Sequence, residues 1–336
     1  MMLYNKLNMF GRTQMRRFIA AAALAATLAL PTMARAQDYP TRMVRLIVNS
    51  QAGGTADATT RLLADELSRR WGQSVIVEDV TGAGGNIGAA QALRAEPDGY
   101  TLLVSHPGPV TINGLLFKSM SYDPTKVAPV SILITFPNVL VVSKSLGINS
   151  LAEFIAYAKA NPGKITYGSQ GVGTTTHLAG SLLSERLGAG MVHVPYRGSP
   201  AAIIDLTGGR LDMMFDNQGT ATPQHKAGAT RIIAVADDKR SAVLPDVPTM
   251  AEAGLPGFRS VTWFGLMAPE RTPKAIVDKI QKDVAAIFAE PAFLERLKAL
   301  SVDPVAMTPE ASAKFIAEET VLWSKVVRDA KINPVE

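Results

Sequence analysis

Val44-Arg45-Leu46-Ile47-Val48-Asn49-Ser50-Gln51-Ala52-Gly53-Gly54-Thr55-Ala56-Asp57 is the stretch from which the fold can be read. Its apolar, β-branched opening predicts a strand over residues 43–49. A polar, glycine-containing turn then leads into a predicted helix over 55–71. Ala58, Leu62, Leu63, Leu67 and Trp71 recur there at helical spacing, and Gly72 is its stop. The same unit repeats. Residues 75–78 predict a second strand, Asn86 caps a helix that runs to about Ala95 before Pro97, and 100–104 gives a third strand. A βαβαβ order implies a parallel sheet with right-handed crossovers.

The later chain follows the same grammar. Ser150-Leu151-Ala152-Glu153 reads as a capping box, opening a helix that ends near Asn161-Pro162-Gly163. Strand 165–168, helix 175–187, strand 191–194 and helix 200–206 follow, with further strands at 211–215 and 232–235. Thr272-Pro273 predicts an N-cap with proline at the first helical position, for a helix to about 289. A last helix is expected over about 310–330. Two apolar runs, 138–142 and 261–267, lack glycine-rich exits. As strands crossing between lobes they would make a hinge. The expectation is an α/β protein of two lobes, with two doubly wound sheets joined by two crossing strands. Lobe one is 37–138 plus 262–336, and lobe two is 139–261. A cleft between them would face the carboxyl ends of the strands, where open α/β sheets bind ligands.

Composition narrows the function. The 336 residues include no cysteine, which excludes disulfides and thiolate metal sites. A hydrophobic fraction of 47% with 19% charged residues fits a globular chain. The net charge of +5 comes from the front: Lys6, Arg12, Arg16, Arg17 and Arg35 fall in a stretch, 1–36, without Asp or Glu. The 34 basic residues less these five equal the 29 acidic ones, so no basic nucleic-acid footprint remains. Arg16-Arg17, an apolar run from Phe18 to Leu30 and an Ala34-Arg35-Ala36 cleavage signal read as a secretory leader, with Gln37 as the mature N-terminus. The run falls short of the roughly 20 residues a membrane span requires. Met15 is better placed as a start than Met1. The expectation is a periplasmic, soluble, monomeric protein.

The chemistry lies in the turns before helices. The first offers Ser50, Gln51, Gly54 and Thr55; Thr81-Gly82-Ala83-Gly84-Gly85-Asn86 offers Gly84, Gly85 and Asn86; the third offers Ser105 and His106. In the second half, the turn from Gly168 to His177 offers Ser169, Thr174 and Thr175, and Asn217 joins the candidates. Glycines admit close approach, hydroxyls and amides donate, and free N–H groups at a helix start attract anions without Lys or Arg. Hydrogen bonds to a charged group contribute about 1.5–3 kcal/mol each. Four or five would support micromolar binding, about −8 kcal/mol after association costs.

Sharper motifs fail. Ile87 breaks the dinucleotide glycine spacing, no phosphate-binding Gly-x-x-x-x-Gly-Lys-Ser/Thr exists, and Tyr167 stands where a nucleophile elbow needs its first glycine. His106, His177, His193 and His225 show no metal-ligand spacing, so no metal or cofactor is expected. His106 competes between a ligand bond and a capping role, and His193 reads as a satisfied core residue. Arg197 is expected to pair structurally with Asp205, Asp212 or Asp216 rather than meet an anion. Asp57 reads as a cap partner within its own helix.

Taken in order, these segments resemble the Bug-type extracytoplasmic receptors of tripartite tricarboxylate transporters. The matching stretches are Val44–Val48 with Gly53-Gly54-Thr55-Ala56-Asp57, Gly82-Ala83-Gly84-Gly85-Asn86-Ile87-Gly88 and Pro97-Asp98-Gly99-Tyr100. Tyr167-Gly168-Ser169, His177-Leu178-Ala179-Gly180, His193-Val194-Pro195-Tyr196-Arg197-Gly198, Leu244-Pro245-Asp246-Val247-Pro248-Thr249 and Trp263-Phe264-Gly265-Leu266 complete the set. The resemblance implies a two-lobed periplasmic binding fold of type II kind that closes on an organic carboxylate, aliphatic or aromatic. It also implies delivery to membrane subunits of the transporter. A ligand-sensing role feeding a two-component system would share the fold; a secreted hydrolase would need a nucleophile–base pair. One departure stands out: the family's first turn is proline-rich, whereas Asn49-Ser50-Gln51-Ala52 brings donors in place of prolines.

Overall fold

The computed structural model describes residues 39–332 and 334, so the leader expected over 1–36 and its cleavage point lie outside the described residues. The chain runs as β1 (Val44–Val48), α1 (Thr55–Trp71), β2 (Val75–Asp79), α2 (Asn86–Leu93) and β3 (Thr101–Ser105). Val44, Leu46, Ile47 and Val48 of β1 are all buried, the pattern of a strand covered on both faces. β1 lies between β2 and β3 and is parallel to both, with Leu46 opposite Val77 and Leu102. Gly72 ends α1 in the left-handed conformation, φ 62°.

A single turn of π-helix (Gly108–Ile112) then runs into α3 (Asn113–Leu116), and β4 (Val127–Ser143) follows. β4 is 17 residues long and carries the architecture. Its first part pairs antiparallel with β9 (Val261–Pro269) and β10 (Asp303–Pro304), and its second part with β7 (Met213–Asn217) and β8 (Thr230–Val235). Only 138–142 was expected as strand here. The strand begins earlier and admits Pro129 because the register slips beside it, and bulges are where strands admit proline. β5 (Thr166–Ser169), α5 (Thr175–Leu187), preceded by α4 (Leu151–Ala160), β6 (Val192–Pro195) and α6 (Ser199–Thr207) build a second parallel unit on β7. The hydrogen-bonded order is β2-β1-β3-β9-β4-β7-β5-β6. The remaining helices are α7 (Gln218–Lys226), α8 (Lys274–Phe288), α9 (Pro291–Ala299) and α10 (Pro309–Asp329).

Two cap expectations are corrected. Gly85, φ 90°, precedes α2 as its cap residue, and Asn86 is the first helical residue. Its Oδ1 accepts instead from Asn113 Nδ2 (2.6 Å) and Tyr122 Oη (2.9 Å). α8 begins after Pro273, and the Thr272 hydroxyl donates backwards to the Pro269 carbonyl. Short, proline-containing α7 and α9 gave too little periodicity to be foreseen.

Where β4 changes partners, the fully buried Asn138 is held from both sides. Its Nδ2 donates to Thr262 Oγ1 (3.0 Å) and Asn217 Oδ1 (3.2 Å), and its Oδ1 accepts from Ser260 Oγ (2.7 Å). A buried amide would be costly unpaired; here both ends are satisfied, which fixes the crossing.

Candidate functional site

The turns leaving β1, β2 and β3 face the turns leaving β5 and β6 across a cavity of about 430 Å³. Asn49, Ser50, the run from Gly82 to Gly85, and His106 form one wall; Gln170, Gly171, Val172 and Thr174, with Tyr196, Arg197 and Gly198, form the other. Gly82, Ala83, Gly84 and Gly85 all take positive φ, which peels the chain away from β2 and turns its backbone outward. A β-carbon added at Gly84 would collide with the Val172 carbonyl oxygen, and one at Gly173 would collide with Asn113 Oδ1. The two walls therefore meet backbone to backbone beside the cavity, at a distance only glycine permits.

His106 is 8% exposed, and burial lowers its pKa to about 4. Its Nδ1 accepts from the Gly108 N–H (3.1 Å), so the neutral ring carries its proton on Nε2. A β-carbon on Gly85 would stand 2.6 Å from that nitrogen, which places Nε2–H against the glycine turn as an uncharged donor. Opposite it, the turn after β5 is supported from beneath by a stack of rings. His193 lies 4.9 Å from Tyr167 and 4.2 Å from His177, centroid to centroid. Desolvation lowers the pKa of His177 to about 3 and of His193 to about 4, so the stack is uncharged. His193 Nε2 meets Ser169 Oγ at 2.7 Å, the satisfied role expected of it.

The expected structural pairing of Arg197 does not form. Asp205 instead takes Tyr196 Oη (2.7 Å) and Arg210, and Asp212 takes the backbone N–H and hydroxyl of Thr166. Asp216, 0% exposed, takes Gln170 Nε2 (3.0 Å), Ser199 Oγ and Thr220 Oγ1 (2.7 Å). Burial raises the Asp216 carboxyl above the usual carboxylate range, and its bonds to Ser199, Thr220, the Asn217 backbone and Gln170 offset only part of that. With all three acids occupied, Arg197 is an exposed guanidinium on the cavity wall with no ion pair among the described residues. Asp57 serves the start of its helix, accepting from the N–H of Gly53 just before it (2.8 Å) and pairing with Arg61 one turn on (2.5 Å).

Of the candidates from sequence, Ser50, Gly84, Gly85, His106 and Thr174 line the cavity. Thr174 also caps α5, accepting from the His177 N–H and donating to the Gly171 carbonyl. Gln51 packs against Gly198, with its Oε1 buried and without a donor. Gly54 supplies the carbonyl that accepts from Ala58, and the Thr55 hydroxyl is buried near Gly219. Asn86, Ser105, Ser169, Thr175 and Asn217 have side chains bonded to other protein groups; Thr175 Oγ1, for example, meets Thr262 Oγ1 at 2.5 Å. Among the wall residues that sequence reasoning missed are Asn49, Gln170, Tyr196, Arg197 and Phe117. Polar Gln170 in a glycine-rich turn was a usable signal, whereas Phe117 gave none. Among the described residues no cluster of His, Asp or Glu could hold a metal ion, and no helix is long and apolar enough to cross a membrane.

Residues 59–332 match the family described as "Tripartite tricarboxylate transporter family receptor", TctC. The chain belongs to this family. Among solved structures, it is similar to "R. palustris Rpa4515 with adipate", at 36% identity and TM-score 0.86, covering 88% of this chain and 100% of that one. It is also similar to the "periplasmic binding protein BugD", at 36% identity and TM-score 0.83 over 88% and 100%. "MatC (Rpa3494) from Rhodopseudomonas palustris with bound malate" follows at 33% identity and TM-score 0.82 over 86% and 100%. The TctC chain is thus a mixed α/β protein of the periplasmic binding kind. Its family consists of solute receptors, which places it in the periplasm.

Proposed function

We propose that this TctC receptor captures an organic carboxylate in the cavity between its turns and presents it to the membrane subunits of a tripartite transporter. The observation that carries this is an unpaired guanidinium, Arg197, and a neutral N–H donor, His106, on facing walls of a cavity that no Asp or Glu lines. A carboxylate is the ligand such a wall favours, because hydrogen bonds to a charged group are the strong ones. Adipate and malate in the two neighbours are ligands of this class.

On this reading lobe one is 37–138 plus 262–336 and lobe two is 139–261, hinged where Asn138 joins the crossing strands. The ligand draws them together by its contacts to both, and it shifts the equilibrium only by that difference in affinity. Export follows cleavage near Ala36/Gln37, and the mature chain acts as a monomer without metal or cofactor. Catalysis has no place in it: the Ser169–His193 pair is the contact a hydrolase would need, yet the Ser169 side chain is fully buried and does not line the cavity. Calorimetry against a panel of di-, tri- and aromatic carboxylates, after EDTA treatment, tests the proposal. One-to-one binding is expected; binding that vanishes with EDTA and returns with metal overturns it.

A further inference from the structure

A trans peptide unit is planar, so holding its N–H also aims its carbonyl, which points the opposite way. In the turn between β5 and α5 this applies to the unit that joins Val172 to Gly173. The Gly173 N–H donates to His177 Nδ1 at 3.3 Å. The Val172 carbonyl is thereby turned to the other wall, where a β-carbon on Gly84 would collide with it. Gly171 and Gly173 flank Val172 at φ 127° and φ 82°, so the neighbouring backbone offers little steric resistance to turning the unit over. Turned over, it would aim an N–H at the other wall and its carbonyl at the helix. The acceptor on His177 decides between the two faces.

His177 is well held for this task. It is the third residue of α5, and its own N–H donates to Thr174 Oγ1 at 3.3 Å, so both side chains serve the helix start. It is buried, and its ring lies 4.2 Å from that of His193, centroid to centroid. His193 in turn meets Ser169 Oγ at 2.7 Å, and that oxygen accepts from the Gly171 N–H at 3.1 Å. Gln170 and Thr174 also spend their N–H groups inside the protein, on Thr176 Oγ1 (3.1 Å) and the Gly171 carbonyl (3.3 Å). We propose that His177 is a positioning residue that locks the Val172–Gly173 peptide with its carbonyl against the Gly84 turn. The glycine-rich turn after β5 is then a contact surface for the opposite wall rather than an anion-binding turn, and a carboxylate is left to Arg197 and His106. Only that last step rests on the carboxylate reading.

Two variants separate the acceptor from the ring. His177→Phe keeps a ring in the stack and removes the acceptor, whereas His177→Asn removes the ring and keeps an oxygen in place of Nδ1. Hydrogen exchange of the Gly173 N–H, read by NMR, is expected to quicken at least about tenfold in the Phe variant and to stay within about threefold in the Asn variant. Affinity for L-malate, measured by calorimetry, should fall about tenfold in the first and hold in the second. The reverse order, or equal exchange in both, would mean that the ring only packs, and overturns the inference. The nitrogen NMR spectrum of the unsubstituted protein needs no variant to fold: His177 is expected to carry its proton on Nε2, and a proton on Nδ1 overturns the inference as well. If the unsubstituted protein binds neither L-malate nor adipate, the carboxylate reading is the one that suffers, and the exchange and tautomer results still decide the role of His177.

Discussion

The two walls of the cavity hold their polar groups in different ways. The wall after β1, β2 and β3 is neutral throughout: backbone of Gly82 to Gly85, an uncharged His106 and the amide of Asn49. The wall after β5 and β6 carries the charge, with Arg197 at the surface and Asp216 buried behind Gln170. Neither arrangement binds a carboxylate well alone. Neutral donors give geometry with little attraction, and an exposed guanidinium gives attraction that water and salt weaken. Bringing the walls together excludes water and strengthens both. The close approach at Gly84 and Val172 is therefore the point on which the account depends.

The largest effect should come from blocking that approach. Gly84→Ala places a methyl group against the Val172 carbonyl only when the walls meet, so the fold should persist while affinity falls about 100-fold, or about 2.7 kcal/mol. Gly53→Ala is the control. It shares a positive φ, 78°, but has nothing within 4 Å, so it should cost strain alone and leave affinity within about twofold. Equal losses in both variants would show that backbone strain, not wall contact, explains Gly84.

Next comes the charge. Arg197→Gln should weaken carboxylate binding about tenfold and flatten its dependence on salt between about 0.01 and 0.15 M, where screening changes most. Retained affinity with an unchanged salt slope would move the attraction elsewhere. The neutral wall should respond less: Ser50→Ala is expected to reduce affinity about fivefold, near 1 kcal/mol, without loss of thermal stability. Gln51→Ala tests whether its buried Oε1 serves the ligand or only packs against Gly198.

The smallest effect on binding should come from pH. With His106 held to a pKa of about 4, affinity should stay flat from pH 8 to 6; an ordinary histidine would gain charge and affinity there. Stability should behave otherwise. The unfolded chain protonates its histidines near 6.5, while the folded His106, His177 and His193 resist until about 3 to 4. Below pH 6.5 the unfolded state binds more protons, so stability falls as pH drops and levels off once the folded rings titrate. Urea unfolding midpoints at pH 7.5 and 5 measure this, and equal midpoints would contradict it.

The sequence disclosed the alternating units because buried parallel strands and amphipathic helices leave periodic patterns, as in β1 and α1, whose observed bounds lie within a residue of those expected. It disclosed β4 only in part, since its bulges at Pro129 and beyond are set by pairing with β9 across more than a hundred residues. The site was legible to the level of turns. Which side chains face inward was not, because that is settled by long-range proton bookkeeping: Thr175 is drawn to Thr262, Asn217 to Asn138, and Asp216 takes donors that leave Arg197 free.

A crystal structure of the protein grown with saturating L-malate tests the central claim most directly. One molecule is expected in the cavity of Asn49 and Gln170, its carboxylate within hydrogen-bond distance of Arg197 or His106, with contacts to both walls. A molecule bound to one wall only, or held in the separate cavity lined by Pro137, Lys239 and Asp303, would contradict it.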